Sequence, residues 1–183
     1  MPELTDEDIV RRVQGGDAQA FGMLVERYEA KLLRYAKRFL VGSDDAKDLV
    51  QNVFIKGYVN VQSFDAARRF SPWIYRIAHN EFINAIKRKG KSTVSIFDFD
   101  VLFPHPVAKE TAEGETVRNE MRRMLDRGLG KLDAKYREPL VLFYFEDMNY
   151  EETAGILGIP TSTLGVRLRR GKAALKKLVE PFT

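Results

Sequence analysis

The chain has no cysteine and only two histidines, His79 and His105, among its 183 residues. Those absences exclude a disulfide scaffold, a thiolate nucleophile and any zinc cluster built from cysteine and histidine. Long apolar runs are lacking too. The longest, Leu140 to Phe145, falls far short of the ~20 residues a membrane span needs. Met1 to Asp8 is acidic rather than signal-like. The expectation is a soluble protein of a reducing compartment, with no internal repeat and no low-complexity tract.

Charge of one sign is scarce overall, with 30 Lys and Arg against 26 Asp and Glu, but its distribution is uneven. Met1 to Lys91 holds 16 basic and 12 acidic residues, Ser92 to Thr116 holds 1 and 5, and Val117 to Thr183 holds 13 and 9. Two basic blocks therefore flank an acidic connector. Such blocks suit polyanion binding by counterion release, although helices with solvated charged faces look similar. The connector carries Pro104, Pro106 and no helical apolar period, which marks a linker. Its apolar cluster, Ile96, Phe97, Phe99, Val101, Leu102 and Phe103, points to docking on its own domains or on a partner.

Outside the connector the pattern is helical. Asp17 is a candidate N-cap ahead of Phe21, Leu24, Val25, Tyr28, Leu32, Tyr35, Ala36 and Phe39. A second helix is expected from Ser43, with Asp44, Asp45 and Asp48 near its positive end and a core stripe of Ala46, Leu49, Val50, Val53, Phe54 and Val61. Its opposite face mixes Asp48 and Asn52 with Ile55 and Val59, so either a partner or a third helix covers those two apolar side chains. A third helix opens at Ser71-Pro72 and runs to about Lys89. Trp73, Arg76, Asn80, Asn84 and Lys87 share its outer side, offering a stacking ring, two amides and two cations, the tools for holding single-stranded bases and phosphates. The alternative is a solvated face with Trp73 tucked into the core. Phe64 to Phe70, just upstream, sets aromatics around Arg68 and Arg69.

In the C-terminal block, helices are expected from Val117 to Leu129, ending near Gly130, and from Asp133 to about Phe145, with Pro139 bending or delaying the second. Asn149-Tyr150-Glu151-Glu152 then has capping-box spacing, and Gly158-Ile159-Pro160 reads as a tight stop. From Thr161 a helix restarts, packing through Leu164, Leu168, Leu175 and Leu178. Thr161, Ser162 and Thr163 stand at its start, and Arg167, Arg169 and Arg170 along its outer side. Short helix, glycine turn and basic second helix form a helix-turn-helix pattern for the major groove, a generic helical hairpin being the alternative. The fold class expected is all-α: two helical domains, 1–91 and 117–183, joined by an extended acidic linker, 92–116. No catalytic residue, metal or cofactor is expected. Glu151 and Glu152 sit in a helix first turn where the dipole already accounts for them, and His79 has no clustered partner in sequence.

Three ordered segments resemble the extracytoplasmic function (ECF) group of the sigma-70 family of bacterial RNA polymerase sigma factors. They are Asp45 to Lys56, Phe70 to Asn80, and Tyr150 to Arg170. The resemblance implies polymerase contact through Asp45, Asp48, Leu49, Gln51, Asn52, Phe54 and Ile55, on the β′ clamp helices, with a second contact on the β flap. It implies that Phe64, Arg68, Arg69, Trp73, Arg76, Asn80, Asn84 and Lys87 melt and read the −10 element. Thr161, Ser162, Thr163, Arg167, Arg169 and Arg170 would read the −35 duplex. It further implies a linker entering the polymerase toward the RNA path, an anti-sigma partner and a cytoplasmic location. Two positions depart from the family pattern: Asn52 replaces a usual Glu, and Gly165-Val166 stand where a basic residue and a serine are common. A stand-alone helix-turn-helix regulator is the competing function, and it leaves Trp73 and Asn80 without a role.

Overall fold

Thr5 begins the ordered path by capping the first helix, its hydroxyl accepting from the Asp8 amide while the Asp8 carboxylate accepts from the Thr5 amide. The structure, a computed structural model, describes residues 4–40, 45–89 and 117–179. Eight α-helices are described: α1 (Asp6–Gln14), α2 (Phe21–Phe39), α3 (Ala46–Asn60), α4 (Phe70–Lys89), α5 (Val117–Lys131), α6 (Ala134–Phe145), α7 (Tyr150–Leu157) and α8 (Thr161–Val179). Short 3₁₀ turns at Ala18–Ala20 and Val61–Ser63 complete the described elements, which include no strand. The all-α expectation holds.

The apolar stripes fall where the periodicity sets them. Along α2, Leu24, Leu32, Tyr35 and Ala36 are fully buried, and α3 buries Ala46, Leu49, Val50, Val53 and Phe54. Local starts differ from expectation. Ser43 lies outside the described residues, and α3 opens after Asp45, which makes no side-chain capping bond. Helix α4 begins at Phe70, one residue before Ser71-Pro72, because Glu7 of α1 accepts a 2.8 Å hydrogen bond from the Phe70 amide. Helix α1 has no counterpart among the expected elements. It contributes Ile9, Val10 and Val13 to the core.

In the second half, α5 continues past Gly130 to Lys131. Pro139 stands buried inside an unbroken α6, whose N-cap is the expected Asp133. Helix α7 has the full Asn149/Glu152 capping box, and Gly158 ends it in the left-handed region at φ 63°. The connector 92–116, with its apolar cluster, lies outside the described residues.

The two halves meet. Helix α4 packs against α7, and α2 against α5 and α6, so buried residues from Ile9 to Leu168 form one cluster. The two helical halves share this core, and polar bonds run across it. Tyr35 and His79 both bond the carboxylate of Glu138, and Tyr75 donates to Glu146 at 2.5 Å.

Candidate nucleic-acid interface

Three surfaces take shape on this scaffold. On the outer side of α3, Asp45, Asp48, Gln51 and Asn52 are exposed. Ile55 and Val59 remain 61% and 70% exposed, with Tyr58 beside them, so no third helix covers these apolar side chains. Leu49 and Phe54 point the other way, 5% and 8% exposed. Those two lie in the core beneath that surface. Lys56, next to Ile55, bonds the largely buried Glu81 of α4 and fixes the register of the two helices.

The second surface is α4 with its preceding loop. Arg76, Asn80, Asn84 and Lys87 are all exposed. Phe64 is buried, its ring edge-on to Phe70 at 5.8 Å and tilted against Trp73 at 5.0 Å. Trp73 is half-buried on this aromatic stack. The free flipped-base platform expected at Phe64 is therefore closed in this conformation, because the ring packs against Phe70 and Trp73. The loop itself is held by α1. Gln14 donates to the carbonyls of Val61 and Phe64 at 2.9 and 2.8 Å, and Arg11 donates to that of Ala66 at 2.9 Å. Sequence reasoning missed these supports; the signal available was a second capping box at Thr5, with Asp8 in place of the usual Glu or Gln. Arg68 projects into solvent beside Asp65, whereas Arg69 pairs with Glu152 of α7 at 2.5 Å.

The third surface belongs to α7 and α8. Thr161, Ser162, Arg169 and Arg170 are exposed and Thr163 and Arg167 half-buried. A shallow recess beside them is lined by Lys135, Tyr136, Thr163, Val166, Arg167 and Arg170. Gly165, on the flank of α8 nearest α7, lies under the Tyr150 hydroxyl; a Cβ there would fall inside the oxygen's van der Waals shell.

Between the second and third surfaces run the buried polar contacts. His79 lies 2.7 Å from Glu138 through Nδ1. Burial disfavours its charged form, but the Glu138 charge and hydrogen bond outweigh burial, and the pKa is raised. Burial also raises the Glu146 carboxyl, against Tyr75, Arg34, Arg38 and Lys31. One Glu146 oxygen has no hydrogen-bond partner and faces Arg38 at 3.9 Å. Arg38 also bonds Asp126 at 2.9 Å and stacks over Phe145. His79 is thus an interdomain anchor. Among the described residues no three His, Cys, Asp or Glu are grouped to hold a metal ion, and no helix is long and apolar enough to cross a membrane.

Residues 24–92 match the family model of sigma-70 region 2, and residues 122–175 that of sigma-70 region 4. The chain is 33% identical over 177 residues to the ECF RNA polymerase sigma factor SigW of Bacillus subtilis, covering 92% of this chain and 93% of that one. It is likewise 33% identical over 186 residues to the ECF RNA polymerase sigma-E factor of Escherichia coli, covering 98% and 97%. Among solved structures, CnrH in complex with the cytosolic domain of CnrY superposes with a TM-score of 0.70 at 26% identity, over 97% of this chain and 99% of that one. The sigma factor RpoE of Bartonella quintana, solved with the anti-sigma factor NepR, shares the fold with a TM-score of 0.72 at 24% identity, over 89% and 98%. The chain belongs to the sigma-70 family. Within it, the chain is an ECF-type RNA polymerase sigma factor, a promoter-specificity subunit and not an enzyme.

Proposed function

We propose that α4 and its preceding loop melt and hold the −10 element, that α7 and α8 read the −35 element as duplex, and that the outer face of α3 docks on polymerase. The observation that carries this reading is the row of Arg76, Asn80, Asn84 and Lys87 exposed along one side of α4. Two amides and two cations in line suit a single strand, whose unstacked bases and phosphates need donors, acceptors and charge together. A regulator reading duplex through its helix-turn-helix alone has no use for them.

The polymerase contact then comprises Asp45, Asp48, Gln51, Asn52 and Ile55, extended by Val59, with Leu49 and Phe54 supporting from below. The −10 contact comprises Arg68, Arg69, Trp73, Arg76, Asn80, Asn84 and Lys87, and Phe64 joins it only once its aromatic stack opens. The −35 contact comprises Thr161, Ser162, Thr163, Arg167, Arg169 and Arg170. The β flap completes the polymerase interface, and the factor works in the cytoplasm beside the polymerase. An anti-sigma protein covers these surfaces when transcription is off, in keeping with the partner-bound state in which CnrH was solved.

The test is co-purification with bacterial core polymerase, followed by permanganate footprinting on promoters selected from a genomic pool. Unpaired thymines near −10 are expected. Asn80→Ala should abolish melting while polymerase binding stays, and Ile55→Asp should remove polymerase binding from a folded factor. Duplex binding by the free protein without polymerase association would establish the stand-alone regulator instead.

A further inference from the structure

Position 165 lies on the flank of α8 that turns toward α7, between the outer residues Ser162 and Arg169. In the proposed function this helix lies in the groove, so a side chain at 165 would stand beside the DNA. Gly165 supplies none. Its place is crowded from the neighbouring helix: the hydroxyl of Tyr150, first residue of α7, stands closer than van der Waals contact to where a Cβ at 165 would be.

Tyr150 is held there. Its ring meets Phe143 of α6 edge-on at 6.1 Å, and Phe143 in turn meets Tyr144 edge-on at 5.0 Å. The side chain is nevertheless open to solvent, with 38% of the residue exposed. Its hydroxyl takes no hydrogen bond from the described residues. A phenol whose ring is held by a neighbour, in a residue open to solvent and with no hydrogen bond to the described residues, is a donor available to a ligand.

We infer that Tyr150 is a −35 contact residue of this factor, its hydroxyl donating to the DNA at the place Gly165 vacates, and that Tyr150 and Gly165 act as one unit. The inference rests on the helix-turn-helix reading the −35 duplex. The acceptor is an oxygen or nitrogen of the duplex, either a phosphate oxygen or a base edge in the major groove, and the two have different signatures. A phosphate contact weakens all sequences alike, whereas a base contact relaxes preference at one position. Glycine at 165 lets the Tyr150 hydroxyl rest against α8, and a Cβ there would make the tip of that side chain shift.

The experiment uses the full chain in holoenzyme. A −35 duplex is selected from a random pool by the wild-type holoenzyme, and binding is measured for Tyr150→Phe, Gly165→Ala and the double variant. Tyr150→Phe removes one oxygen and should weaken binding about three- to tenfold for a neutral base-edge acceptor, and more than about tenfold for a charged phosphate oxygen. Gly165→Ala should weaken it similarly, and the double variant should be no worse than either single one. Repeating the selection with Tyr150→Phe separates the acceptors: an unchanged preference identifies phosphate, and one relaxed position identifies a base. Melting temperatures of the free variants check folding. Unchanged binding by folded Tyr150→Phe, or fully additive losses in the double variant, would overturn the inference while leaving the promoter role intact. Failure of the wild-type holoenzyme to select any −35 sequence would overturn the reading beneath it.

Discussion

Two glycines of the helix-turn-helix, three residues apart, make opposite demands on a side chain. Gly158 stops α7 at φ 63°, where an L residue is strained by about 1–2 kcal/mol. Gly155, inside α7, has ordinary helical φ and nothing within 4 Å of a built Cβ. Gly158→Ala should therefore destabilise the protein by about 1 kcal/mol, while Gly155→Ala should stabilise it by about 0.4–1 kcal/mol through the unfolded chain. Opposite shifts of the urea midpoint would confirm the pair. Gly158 was legible in the sequence as a stop because a capping box preceded it and Pro160 followed. The role of Gly165 was not, because its meaning depends on Tyr150, which comes against it only when two helices pack. Ile55 and Val59 illustrate the same limit: periodicity set them outward but left open whether another helix covered them, and their exposure decides it.

At the scale of the element, legibility followed local chemistry. Helix α7 was readable end to end, since Asn149 and Glu152 exchange bonds within four residues. Asn149→Ala should cost about 1 kcal/mol. It should also loosen α4 against α7, read as faster amide exchange in both helices. The row Arg76, Asn80, Asn84 and Lys87 was equally readable from spacing. Helix α1 was not, because nine residues hold only three core side chains and the acidic start reads as a tail. What makes it a helix is tertiary: Glu7 caps α4, while Arg11 and Gln14 fasten the loop before it. Phe64 and Phe54 belong here too. Both rings are buried, and a helical stripe cannot tell which member of a motif faces inward.

At the scale of the whole molecule, the packing of the two halves should respond to pH. A raised His79 pKa means the packed form holds that proton more tightly than the separated halves do. Its contribution is fully present below the ordinary histidine value and is lost as pH rises through the raised one. Arg76 and Lys87 oppose the proton, and Glu138 favours it more strongly. The raised Glu146 carboxyl acts in the same direction, since its ionisation on going to higher pH works against burial. Asp8 of α1 and Asp17 just after it have lowered pKa values, through hydrogen bonds from Thr5 and Arg12 respectively. A chain without cysteine can be labelled specifically at Gln62→Cys and Lys172→Cys, both exposed positions. Energy transfer between the dyes should fall as pH rises through the neutral range, and Glu138→Gln should flatten the response. Arg69, on the loop before α4, and Glu152, on α7, touch at 2.5 Å. Promoter elements named −10 and −35 stand about 25 base pairs apart, or about 85 Å of duplex at 3.4 Å per pair. The connector between the two basic blocks is 25 residues long, and such a length of chain can reach at most about 85 Å. Its length is therefore a yardstick. On the proposed roles of the two halves, the number of residues between them limits how far apart along the DNA the two elements can be held.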